Sequence, residues 1–224
     1  MKRAAGTGRF IVLEGLDGAG TTTQAQKLGI ELRKEGHRVV VTCEPTDGPV
    51  GRLIRQALTR RRIRRRGDDS FTGQALALLF AADRLDHLHA EIVPALQSAK
   101  VVICDRYLLS SLAYQGVSMA ASWIERINRF AIPPDLTLFL EVDPRIAARR
   151  RLGRGGAEEL FDAAELQAQI ARRYRAVTRR FRSSHRVIRI DASKSIEEVT
   201  EETMRVVRRV LKPTVFRGRV RMRR

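Results

Sequence analysis

Three glycines, Gly15, Gly18 and Gly20, run into Thr21, Thr22 and Thr23 just after the apolar stretch Phe10 to Leu13. A buried strand, a glycine-rich turn and a helix opening at Thr21 or Thr22 form the context in which backbone N–H groups curl around an anion. Glycine lets successive N–H groups point inward, and the helix N-terminus adds partial positive charge. The spacing Gly-x-x-x-x-Gly-Lys-Ser/Thr lies over Gly15 to Thr22 and puts Thr22 where a hydroxyl holds a magnesium ion. Thr21, however, occupies the lysine position, so the usual point charge on the β- and γ-phosphates is missing. The alternative is a glycine-rich turn of a doubly wound fold that holds no nucleotide.

Positioning such a loop requires a sheet, and the rest of the chain supplies one. The helix after the loop carries Ala25, Leu28 and Leu32 on one stripe and stops at Gly36. A strand over Val39 to Cys43 ends in the turn cluster Glu44-Pro45-Thr46-Asp47-Gly48-Pro49, followed by a helical segment with Leu53, Ile54, Arg55 and Leu58. A long helix is expected from about Thr72 to His89, then a further one with Ile92, Val93 and Leu96. Lys100 to Cys104 and Asp135 to Val142 read as strands buried on both faces. Asp143 and Pro144 start a helix as N-cap and first residue, another helix spans about Ala163 to Arg182, Val187 to Ile190 is the last strand, and Ser195 with Glu198 forms a capping box. Five strands alternating with helices predict an α/β fold with a parallel sheet and a site along its carboxyl edge.

Composition narrows the function. Forty-three Lys and Arg against 25 Asp and Glu give a formal charge of +18, which attracts polyanions, nucleotide and nucleic acid alike. The excess gathers in Arg60 to Arg66, Arg149 to Arg154, Arg172 to Arg182 and Arg217 to Arg224, most of it expected to be solvated surface. No apolar run approaches the ~20 residues that span a bilayer and the leader lacks a signal-peptide core, which predicts a cytoplasmic protein. Cys43 and Cys104 end apolar runs and read as small hydrophobes, with no zinc spacing.

These residues, taken together, resemble the thymidylate kinases of the P-loop nucleoside-monophosphate kinase superfamily. The resemblance runs from about Arg9 to Leu211 and rests on several stretches. They are Gly-Leu-Asp-Gly-Ala-Gly, Glu44-Pro45 with Arg55 downstream, Leu-Leu-Phe-Ala-Ala-Asp-Arg (Leu78 to Arg84), Asp-Arg-Tyr-Leu-Leu-Ser-Ser-Leu-Ala-Tyr-Gln-Gly (Asp105 to Gly116), Pro133-Pro134-Asp135-Leu136 and an arginine-rich lid. It implies a five-stranded parallel sheet flanked by helices, with a short lid at about 149–162, a leader at 1–9 and a basic tail at 212–224. The implied reaction is transfer of the γ-phosphoryl group of ATP, with Mg2+, to dTMP, in a homodimer; the tail leaves nucleic acid open as a further partner.

Within that resemblance, ATP lies over Gly15, Leu16, Asp17, Gly18, Ala19, Gly20, Thr21, Thr22 and Thr23, and Thr22 with Asp105 holds the metal. Arg55 and Arg106 clamp phosphates with forked guanidinium groups. Phe80 stacks on the base and Arg84, four residues on, reaches its edge, while Ser111 and Gln115 share a helix face toward N3 and O4. Tyr114 packs near the sugar and Asp17 meets its 3′-hydroxyl. Two departures stand out: Thr21, and Glu158-Glu159-Leu160-Phe161-Asp162, where a lid arginine is expected. Two readings follow, a working dTMP kinase in which Arg150 or Arg154 replaces the missing charge, or a nucleotide-binding protein impaired in catalysis; a kinase for another deoxynucleoside monophosphate differs only in base choice.

Overall fold

The computed structural model describes residues 8–60, 72–152 and 164–211. Five parallel strands form one sheet: β1 (Arg9–Gly15), β2 (Val39–Cys43), β3 (Val101–Asp105), β4 (Leu136–Glu141) and β5 (Val187–Asp191), in the order β2-β3-β1-β4-β5. The register sets Asp105 beside both Leu13 and Cys43, so the carboxyl ends of the three strands lie together, where α/β folds bind ligands. The three inner strands are almost fully buried, which explains their unbroken apolar sequence: helices cover both faces. At the edge, β5 buries Val187 and Ile190 and exposes Ile188 and Arg189.

The helices follow from local chemistry. In α1 (Thr21–Lys34), Ala25, Leu28 and Leu32 face the core, and Gly36 leaves the helix at φ 86°. The N–H of Arg145 donates to Asp143 Oδ1 at the start of α7 (Pro144–Leu152), and the reciprocal bonds of Ser195 and Glu198 open α9 (Ile196–Leu211), both as the sequence predicts. Both cysteines are free thiols.

The long helix expected to His89 is broken. α3 (Gly73–His87) passes into a π-turn at Leu88–Ile92, where Val93 N–H donates to Leu88 O, before α4 (Val93–Gln97). Pro94 lacks an N–H and its ring crowds the carbonyl four residues back; the wider turn accommodates it. Two other helices complete what the site needs: α2 (Pro49–Arg60), whose Ile54 and Leu58 are buried while Leu53 is exposed, and α5 (Leu108–Tyr114), packed on α6 (Ala121–Ile127) and α8 (Ala164–Arg180). The leader expected over 1–9 ends too late, since Arg9 already opens β1; its residues 1–7, the segment 61–71, the lid from 153 on with Arg154, and the tail lie outside the described residues.

Candidate active site

The phosphate loop joins β1 to α1 with Gly18 at φ 88° and Gly20 at φ 94°. A Cβ on Gly18 would stand 2.3 Å from Ala147 O, so α7 rests directly on the loop and the position requires glycine twice over. Thr22 Oγ1 donates to Asp105 Oδ2 at 2.5 Å, while Asp105 Oδ1 is buried with no partner. A hydroxyl and a carboxylate side by side, with an acceptor oxygen left over, are the donor set a hard divalent cation takes, so these two residues fit magnesium. Thr21 is buried and brings no charge.

The arginines of α7 divide. Arg150 donates to the carbonyls of Ala192, Ser193 and Lys194 after β5. Arg151, one turn beyond Ala147 on the same helix face, donates to Asp17 O at 3.0 Å, on the loop itself. Sequence reasoning passed Arg151 over, because three consecutive arginines look equivalent until the helix is oriented.

Beside the loop opens a cavity with about 530 Å³ of empty space, counting its mouth. Asp17, Phe80, Arg84, Arg106, Ser111, Tyr114 and Gln115 all line it. Arg106 bridges the two halves of the site: Nη2 donates to Asp17 Oδ1 at 2.5 Å and Nη1 to Gly15 O at 3.0 Å. Its backbone stands at φ 69°, a cost of about 1–2 kcal/mol that tertiary contacts must hold. Tyr114 Oη donates to the other Asp17 oxygen at 2.8 Å, which turns this carboxylate toward the cavity. Beneath lies Glu14, fully buried, accepting from Tyr107 N–H, Ser110 Oγ and Tyr174 Oη. Burial pushes its pKa up, against the lowering pull of the Ser110 hydrogen bond and the Arg106 charge. Glu14 falls just past the strand expected over Phe10 to Leu13, whereas β1 carries on to Gly15, and in sequence only a charge at the end of an apolar run marks it.

Arg84 is 2% exposed, and its guanidinium is held on several sides. Nε and Nη2 donate to Glu44 Oε2, Nη2 to Ser111 Oγ and Nη1 to Asn128, and Tyr107 offers its ring face at 5.0 Å. Behind Glu44 stands His87, with Nδ1 3.3 Å from Glu44 Oε1 and Nε2 3.1 Å from Glu91 Oε2. Burial alone lowers the imidazole pKa, but the hydrogen bonds and charges of Glu44 and Glu91 hold it above its ordinary value. Gln115 Oε1 is a buried acceptor without a partner. Arg55 does not line the cavity; Nη1 donates to Pro45 O and Nη2 pairs with Asp47 in the turn after β2.

Comparison with known proteins agrees with this geometry. The family model described as thymidylate kinase matches residues 13–203. The chain belongs to the thymidylate kinase family. Its reaction is the family's, transfer of a phosphoryl group from ATP to dTMP to give dTDP. A probable thymidylate kinase of Pyrococcus abyssi is 42% identical over 205 residues, 91% of this chain and 98% of that protein. Thymidylate kinases of Ruegeria pomeroyi, 36% identical over 91% of this chain and 96% of that protein, and Geobacillus thermodenitrificans, 37% over 89% of each, are similar along their length. For a thymidylate kinase the layout is apt, with a glycine-rich loop and the Thr22–Asp105 pair on one side, a cavity with an aromatic and an unmet polar group on the other, and Arg106 between.

Proposed function

We propose that this thymidylate kinase lays the ATP phosphates over Gly15 to Thr23 and the dTMP in the adjoining cavity, so that the two reacting groups meet at Arg106. The single observation that carries this reading is the Arg106 guanidinium, bonded at once to the phosphate loop and to the acceptor-side carboxylate of Asp17. Phosphoryl transfer needs two anions held in line and the developing charge neutralised, and a fixed cation at the junction does both. Mg2+, held by Thr22 and Asp105, would screen the ATP phosphates and orient them.

In the cavity, Phe80 offers the base a stacking face. The unmet Gln115 Oε1 suits an N3–H, and Arg84, fixed by Glu44 and Asn128, retains donor capacity toward a carbonyl edge. Ser111 positions Arg84, Tyr114 packs beside the sugar, and Asp17 accepts from its 3′-hydroxyl. Arg55 meets the acceptor phosphate on swinging from Asp47 at the rim.

Arg151 supplies the charge that Thr21 does not. It already touches the loop through Asp17 O, whereas Arg150 ties α7 to the segment after β5. The protein works in the cytoplasm, in keeping with its two free thiols, and among the described residues no helix is long and apolar enough to cross a membrane. It works as a homodimer. A coupled assay for ADP release with dTMP, dUMP, dCMP and dGMP tests the reading: fastest turnover per KM is expected with dTMP, and equal rates with all four, or none, would overturn it.

A further inference from the structure

On the far edge of the sheet, remote in sequence from the phosphate loop, α8 and β5 enclose an open groove of about 850 Å³ lined by Arg175, Thr178, Arg179, Arg182, Ile188 and Arg189. Its charge is unbalanced. Arg189 pairs with Glu141 and the neighbouring Arg180 with Glu125, which uses the nearby carboxylates. Arg175, Arg179 and Arg182 are exposed, and their guanidinium groups have no hydrogen-bond or ion-pair partner among the described residues. Three uncompensated cations on one wall of a concavity repel one another, an arrangement that an anionic ligand relieves.

We propose that this groove binds the phosphate backbone of a nucleic acid, without reading its sequence. The lining decides the ligand class. No aromatic ring is present to stack on a base, and the Thr178 hydroxyl is already bonded to the Tyr174 and Arg175 carbonyls, so nothing recognises a base or a sugar. A mononucleotide would be held by its phosphates alone. An extended strand instead meets the arginines in series: Arg175 and Arg179 are one helical turn apart, about 6 Å along the axis, so they engage separate phosphates of a backbone. Arg182 follows in the turn after α8, its carbonyl accepting from Val187 N–H at the foot of β5, so its main chain is anchored beside the groove that its side chain lines. The outer edge of β5 pairs with no strand among the described residues, which leaves the groove open at the sheet margin for a long ligand. The formal charge of +18 steers such a polyanion to the surface.

The test is fluorescence anisotropy of a labelled 20-base-pair DNA duplex, and of one of its strands, with the full chain at stepped KCl concentrations. R175Q/R179Q/R182Q is compared with the unsubstituted protein and with a chain truncated after Pro213. Losing three phosphate contacts should flatten the slope of log affinity against log salt by about 2.7 for duplex, about 0.9 per contact. Affinity at low salt should fall more than 10-fold, equally for unrelated sequences, with kcat/KM for dTMP unchanged, which also certifies that the variant is folded. Unaltered affinity and slope in the triple variant overturn the proposal, as does binding that is lost on truncation alone. Displacement of the duplex by polyglutamate of equal charge would assign the groove to an acidic protein and overturn it likewise.

Discussion

At the scale of single residues, the missing lysine and the buried histidine lead to separate experiments. Arg151→Ala should lower the turnover number by about 10²-fold, the loss typical when one preorganised donor to developing charge is removed. Thr21→Lys should leave the parent enzyme active and rescue Arg151→Ala, since both cations serve the same phosphates. Steady-state rates for the two single variants and the double variant form a cycle, and strict additivity would show that the charges are unrelated. His87 answers to pH. Its imidazolium is favoured by Glu44 and Glu91 in the fold, so its pKa lies above the unfolded value of 6.5. The resulting stabilisation is fully present below pH 6.5 and is lost as pH rises through the folded pKa. Urea unfolding from pH 5 to 9 should therefore show His87→Gln most destabilised at the acid end and converging on the parent at the alkaline end. A constant gap across that range would mean that the ring acts by packing alone.

At the scale of elements, the contact between α7 and the phosphate loop governs the donor site. Gly18→Ala places a methyl group into Ala147 O and asks an L-residue to hold φ 88°. The backbone conformation alone costs about 1–2 kcal/mol, and α7 must retreat as well, taking Arg151 with it. The expected outcome is a raised KM for ATP together with a lower urea midpoint, while dTMP binding, measured by calorimetry without ATP, stays within about threefold because, Asp17 apart, the base side of the cavity stands on α3 (Phe80, Arg84) and α5 (Ser111, Tyr114). Intact ATP kinetics in this variant would show that the loop does not lean on α7 in solution.

The whole molecule offers a surface for the proposed dimer. Leu53 on α2 and Leu78 on α3 are 39% and 51% exposed on helices that pack together. Burying them against a second copy would remove apolar surface from water at about 25 cal/mol per Å². Sedimentation equilibrium should give a dimer for the parent chain and a shift toward monomer for Leu78→Asp; a monomeric parent would end the dimer proposal, and an unshifted variant would move the interface elsewhere.

Periodicity, punctuation and local capping are properties of short stretches, and these the sequence by itself determined. Five strands and their alternation with helices, the loop from Gly15 to Thr22, the Asp143 and Ser195 caps, and the spacing that brings Phe80 near Arg84 and Ser111 near Gln115 all rest on neighbours within a few residues. Charge in the interior was beyond its reach. Nothing local separates Arg150 from Arg151, or marks Glu14, Glu44 and His87 as a buried polar frame, because each acquires its role from partners dozens of residues away. The resemblance offers Arg84 as a base reader, yet its immobilisation by Glu44, Asn128 and Tyr107 depends on how α3 packs. The break at His87 lies between: Pro94 was visible, but a proline can end, kink or widen a helix, and the packing of Leu88 and Ile92 into the core selects the π-turn. The groove beside β5 belongs wholly to the tertiary structure, since only folding separates arginines that find a carboxylate from those that do not.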